Sequence, residues 1–174
     1  MPSNSSRTKR IAIGTIFGTL IFIFKVFIPT PYDKMFVGFE ALLLALGSLI
    51  IRRMGATNVG AVGGLLMTYG RVEYAPFSLI FAVMYGALID GLFLALRVRM
   101  SHRKVKTGGV IISLALSTTI VGLLSTYTIV SLELMPMIPF LYLIILLVGI
   151  ANGAAAGYIT SFLWTRYLAF YIQE

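Results

Sequence analysis

Apolar runs of about 14 to 26 residues, separated only by short polar loops, constrain this chain more than any other feature of its sequence. A run near 20 residues long with few charges has the length of a bilayer crossing. The runs fall at residues 11–29, 36–51, 57–70, 77–96, 109–131 and 139–164. Composition agrees with them. Of 174 residues, 59% are apolar and 11% are charged; a soluble domain carries about a quarter charged residues. That leaves too little polar surface to coat a water-soluble globule. The expected fold is an all-α integral membrane protein, a bundle of six transmembrane helices filling residues 11–165. A tail at 1–10 and a second at 166–174 flank it, and no soluble domain has room.

The third run is short and rich in glycine (Gly60, Gly63, Gly64), so charge has to decide whether it crosses. Cytoplasmic loops collect Lys and Arg. With six crossings and both termini in the cytoplasm, Arg7, Lys9, Arg10, Arg52, Arg53, Arg97, Arg99, Arg103, Lys104, Lys106 and Arg166 all lie inside. Lys25, Lys34 and Arg71 then lie on or near the outside, with acidic Asp33, Glu73 and Glu133 in the three outer loops. Without a third crossing, the basic stretch Arg97–Lys106 would face outward and the rule would fail. The net charge of +8 therefore reports orientation in a cell membrane, and no nucleic-acid partner is needed to explain it. The basic start followed by an apolar run also describes a signal peptide, but the run is long and leads into TPYDK without a small-residue cleavage pattern.

Chemistry-bearing motifs are few. HExxH, GxSxG, Walker A and calcium-loop patterns do not occur, cysteine is absent, and the one histidine, His102, sits in a basic loop. These features argue against an enzyme and supply no metal or cofactor site. Charges inside the runs still need an account, because each costs a few kcal/mol near the bilayer centre. Lys25 has two readings: its long stem snorkels to the headgroups, or it contacts a ligand. Glu40 reaches water less easily and either pairs with Lys25 or Lys34 or lines a site. Asp90 is expected to pair with Arg52 or Arg53. The outer loops add Tyr32, Lys34, Arg71, Glu73 and Tyr74 beside stiffening prolines, and Asn152 places an amide at mid-membrane that needs a partner. The candidate binding residues are thus Lys25, Tyr32, Lys34, Glu40, Arg71, Glu73, Tyr74 and Asn152.

Small residues four apart leave a groove on a helix. Gly149, Gly153 and Gly157, and likewise Gly60 and Gly64, are expected to form close-packed seams within the bundle. Gly14 and Gly18, within IAIGTIFGTL, leave a similar groove in the first run. It could receive lipid, a helix of this chain or another protein.

With six spans, both termini inside, a Gly-rich third span and Gly14-Thr15-Ile16-Phe17-Gly18 near the inner end of span 1, the chain resembles the substrate-binding S component of energy-coupling factor (ECF) vitamin transporters. That family carries an alanine-x-x-x-alanine motif on its first helix; here glycine stands in both places. The resemblance implies a vitamin-binding pocket in the outer half, with Tyr32, Glu73, Tyr74 and Asn152 at matching positions. It also implies that Gly14 and Gly18 dock on a membrane-embedded T component driven by two cytoplasmic ATPase subunits. The mixed charges suit a zwitterionic or heteroaromatic ligand such as thiamine or its pyrimidine precursor. The competing expectation is a structural membrane protein like the MreD cell-shape proteins, with no small-molecule substrate. A self-contained small transporter is a further rival, disfavoured by the mostly apolar inner half.

Overall fold

A computed structural model describes residues 4–28, 36–51, 54–70, 75–98, 105–133 and 139–168. All elements among them are helices: α1 (Asn4–Phe27), α2 (Val37–Ile51), α3 (Gly55–Gly70), α4 (Ala75–Ala95), α5 (Thr107–Ser131) and α6 (Pro139–Leu163), which runs on into a π-helical turn at Trp164–Leu168. The expected helical architecture is therefore present. Three segments, Pro76–Ala95, Thr107–Ser131 and Phe140–Leu168, are long and apolar enough to cross a membrane. The apolar part of α1 (Ile11–Phe27) and α2 are apolar but shorter.

Helix ends depart from the sequence expectation in one systematic way. α1 starts at Asn4, seven residues before its apolar run, and α6 continues as the π-turn past residue 166. Apolarity marks where a helix meets lipid, whereas backbone hydrogen bonding needs no apolar side chains and extends into polar sequence. Both expected tails are thus partly helical.

α2 is the centre of the bundle. It contacts all five other helices, and ten of its residues, from Glu40 to Ile51, are buried. A helix that is apolar on every side belongs in such a position. Around it, exposure follows the inverse pattern of a soluble protein. Along α5, Ile112, Leu116, Ile120 and Leu124 are exposed, four residues apart, while Val110, Leu114 and Ser117 face inward and are buried. The outward stripe is the surface a bilayer would solvate.

Lipid tails are as apolar as leucine, so helices in a membrane associate through close packing. The glycine seams supply it. A methyl group on Gly149 would lie 3.1 Å from Thr119 Cα, one on Gly153 2.6 Å from Ala115 Cα, and one on Gly157 2.6 Å from Ile111 Cα. Positions rise by four on α6 as they fall by four on α5, so the two helices are antiparallel. The α3–α4 seam is built alike: Gly60 and Gly64 meet Ala82 and Leu79, and Gly86 meets Ala56. Both stripes are the intrachain seams that their spacing predicts.

α4 ends in a Schellman turn. Arg97 takes φ 46°, its N–H donates to Leu94 O (3.1 Å), and Val98 N–H donates to Phe93 O (3.0 Å). This pairs the helix's last carbonyls, and Val98 is fully buried. Lys106 N–H then donates to Val98 O at 3.0 Å, which brings the start of α5 against the end of α4.

The seam gives a contrast to measure. Gly153→Ala forces a Cβ against backbone and should destabilise the fold by roughly 1–3 kcal/mol. Gly91→Ala, where a Cβ would meet nothing within 4 Å, should be neutral or stabilising by up to about 1 kcal/mol. Unfolding of the detergent-solubilised protein followed by circular dichroism would separate the two; equal effects would contradict the seam.

Candidate functional site

The candidate site begins with two charges that the sequence leaves within apolar runs. Lys25 is in the last turn of α1 and Glu40 in the first turn of α2. Because the two helices are consecutive and antiparallel, these turns share one end of the bundle. Lys25 Nζ donates to Glu40 Oε1 at 2.8 Å and lies 2.7 Å from Oε2. The Glu40 side chain is 8% exposed and that of Lys25 29%. The carboxylate is thus withdrawn from solvent and the ammonium reaches it from a half-open position. Of the two partners open to Glu40, Lys25 is paired with it, and Lys34 lies outside the described residues.

Aromatic rings complete the surroundings. Phe24 and Phe39 stack at a tilt, with centroids 4.4 Å apart. Together with Ile21, Ile28, Phe36 and the ion pair they line a cleft of about 10 Å³, which is room for one water molecule. Sites for drug-sized ligands usually span about 300–1,000 Å³. A larger cup at this end would need the loops, and Tyr32, Lys34, Arg71, Glu73 and Tyr74 all lie outside the described residues.

Asn152 is half-buried on α6, and its Cβ and backbone oxygen lie 3.3 Å from where a Cβ of Gly38 would be. Gly38 and Glu40 are two positions apart on α2, about 200° around the helix. Lys25 and Asn152 therefore flank α2 on different sides. The structure brings Lys25 and Glu40 together and keeps Asn152 apart from them.

Asp90 makes a contact that the sequence reading does not include. Arg52 and Arg53 lie outside the described residues. Among the described residues, Asp90 accepts hydrogen bonds from the N terminus of α3: Oδ2 from Thr57 N–H (2.9 Å) and Thr57 Oγ1 (2.8 Å), and Oδ1 from Ala56 N–H (3.3 Å). Free N–H groups and a positive dipole end make a helix N terminus a natural partner for a carboxylate. Asp90 is thus a cap supplied by another helix. Sequence reasoning misses Thr57; the available signal is an acid within one apolar run and a Gly-Ala-Thr start on the neighbouring helix.

A third polar contact lies in the core. Tyr85 Oη and Thr118 Oγ1 are 2.7 Å apart. The Thr118 hydroxyl donates to Leu114 O, so Tyr85 is the donor in this pair. The contact ties α4 to α5. Among the described residues no three of His, Asp and Glu gather as a metal site would require.

Gly14 and Gly18 are both buried. A Cβ on Gly18 would lie 2.7 Å from Val62 Cγ1 and 2.9 Å from Gly63 N, and one on Gly14 would lie 4.0 Å from Ile51 Cδ1. At Gly18 the groove is filled by α3 of the same chain, since lack of a side chain lets that backbone approach. Of the three possible occupants, a neighbouring helix takes the place.

Comparison of the chain with protein-family models, with curated proteins and with solved structures found no match.

The ion pair can be tested by a double-mutant cycle. Removing one partner of a fully buried pair costs about 3–5 kcal/mol; with the ammonium partly solvated, Lys25→Met alone should cost roughly 2–4 kcal/mol. Lys25→Met combined with Glu40→Leu should recover most of that loss. Reversible unfolding in detergent would read all three variants, and additive losses would show that the charges do not interact.

Proposed function

We propose that the chain crosses the cell membrane six times, with both termini in the cytoplasm, and serves as a membrane-embedded binding subunit for a small vitamin-like molecule. Its partners in this reading are a T component and two cytoplasmic ATPase subunits of the energy-coupling factor type. The observation that carries the reading is the Lys25–Glu40 pair, whose carboxylate is buried. Charge is expensive in an apolar bundle and marks functional positions more often than structural ones. This pair lies beside aromatic rings at the end where the loops with Tyr32, Lys34, Arg71, Glu73 and Tyr74 emerge. The antiparallel succession of helices supports the topology, because it sends the basic segments 52–53 and 97–106 to one end and the acidic loops to the other. Docking on a T component would use a surface other than Gly18.

Two observations favour the competing scaffold reading. The cleft has room for one water, and the Gly18 groove is filled from within the chain. A scaffold needs neither a cavity nor a ligand.

The deciding experiment is purification of the full chain in mild detergent, followed by mass spectrometry of whatever small molecule accompanies it. The binding-subunit reading expects a zwitterionic or heteroaromatic compound. Its affinity should fall about tenfold or more in Glu73→Ala, Tyr74→Ala or Asn152→Ala, as for the loss of a hydrogen bond to a charged group. A protein that carries no ligand and draws down no ATPase would establish the scaffold instead.

A further inference from the structure

The helices fall into two length classes. α2 and α3 have 15 and 16 residues, and the apolar part of α1, Ile11–Phe27, is also shorter than a full span. At about 1.5 Å per residue these segments measure roughly 22–26 Å. α5 and α6 have 25 residues each, roughly 38 Å. A typical hydrocarbon core is about 30 Å thick, so the first class falls short of it and the second exceeds it.

The α3–α4 seam shows where the shortfall lies. A Cβ on Gly86 would meet Ala56 and Thr57, in the first turn of α3. From Gly86, α4 runs on to Ala95, about 14 Å further, and Leu94 in that stretch is 81% exposed. The bond from Lys106 N–H to Val98 O sets the start of α5 level with the end of α4. This end of the bundle is therefore stepped: α4 still presents apolar surface at depths that α3 does not reach.

Polar groups mark both limits of the short flank. On α3, Asn58, Leu65 and Tyr69 are exposed, and their spacing puts them on one helix face. The Asn58 amide is costly in hydrocarbon and the Tyr69 ring suits the headgroup level, yet only about 17 Å of helix separates them. On α1, Lys9 and Arg10 precede Ile11 in the sequence. At the other end Lys25 is held at the depth of the buried Glu40 carboxylate, about 21 Å from Ile11. Lipid, not another helix, suits this surface. Gly14, Gly18 and Gly63, which permit close approach, are buried, and the outward side chains include the bulky Ile11, Ile16, Ile23, Phe27 and Leu65. A helix of another protein finds no glycine seam here.

We propose that α1 and α3 form a flank that holds the surrounding bilayer thin and gathers phospholipids with short acyl chains. Along this flank the apolar span is roughly 22–26 Å, against about 33 Å on α6 between Phe140 and Phe162. A bilayer meets a short apolar surface by thinning. The inference rests on the proposed crossing of the membrane by α1 and α3 and needs nothing from the ligand site.

The sequence contains no cysteine, so single replacements give clean labels. Ile11→Cys and Phe27→Cys mark the ends of the α1 run, Phe140→Cys and Phe162→Cys those of α6, and Ile120→Cys the middle of α5; all five residues are exposed. Each full-length variant is reconstituted in vesicles of dioleoyl phosphatidylcholine. The Ile11 and Phe27 positions should react with an impermeant thiol reagent from opposite sides. Reaction of both from one side overturns the crossing and this proposal together. With the crossing in place, spin labels at all four helix ends should be open to a nickel chelate confined to water and headgroups, and the label at Ile120 should lose that access. An α1 end as shielded as Ile120 overturns the thinning and leaves the crossing standing. A second measurement needs no replacement. Native mass spectrometry of the unaltered chain, released from nanodiscs of equal dimyristoleoyl and dieicosenoyl phosphatidylcholine, should show the shorter lipid retained at least about twofold over the longer. Equal retention overturns the proposal.

Discussion

Inside an apolar medium a charged side chain must find its counterpart within the protein, and this requirement organises the bundle. Lys25 and Glu40 meet across α1 and α2 near one end. Asp90 meets the N–H groups of α3 towards the other. Between them, Tyr85 and Thr118 link α4 to α5. Each contact joins two different helices, and none can be satisfied by a helix alone. The polar groups therefore fix which helices are neighbours and at what depth, a specification that apolar side chains facing apolar lipid supply poorly.

Close packing does the remaining work. α3 has glycine on several sides: Gly60 and Gly64 face α4, Gly63 meets Gly18 of α1, and Gly55 meets Gly47 of α2. With so few side chains it approaches three helices at once, which a leucine-rich helix of the same length could not do. The short third run that weakens a hydropathy reading is thus what makes the helix suitable for the interior. α2 completes the arrangement from the other side, with large buried side chains at Leu44, Leu46 and Leu49.

Much of this arrangement is legible in the order of the amino acids. Long apolar runs predict helices, glycine at intervals of four predicts the α5–α6 and α3–α4 seams, and isolated charges predict pairing. The failures have a common physical origin. Hydropathy is blind to helix that continues into polar sequence, as at Asn4 and beyond residue 166. Spacing shows that Gly18 leaves a groove but carries no information on its occupant, because Val62 and Gly63 come from elsewhere in the chain. Charge alone does not show the bond between Asp90 and the start of α3, because a helix N terminus is a partner that no single residue letter displays. For the candidate site, Lys25 with Glu40 is legible as one of two pairings. The separation of Asn152 from them is not, since it depends on how α6 lies against α2.

The bond between Asp90 and the start of α3 makes two helices depend on each other. α4 alone would carry an uncompensated carboxylate within an apolar helix, and α3 alone is short, glycine-rich and begins with bare amides. Each alone leaves polar groups without a partner. Joined by Thr57 and Asp90, each answers the other's unmet polar groups, so the two helices are stabilised as one hairpin more than either is singly.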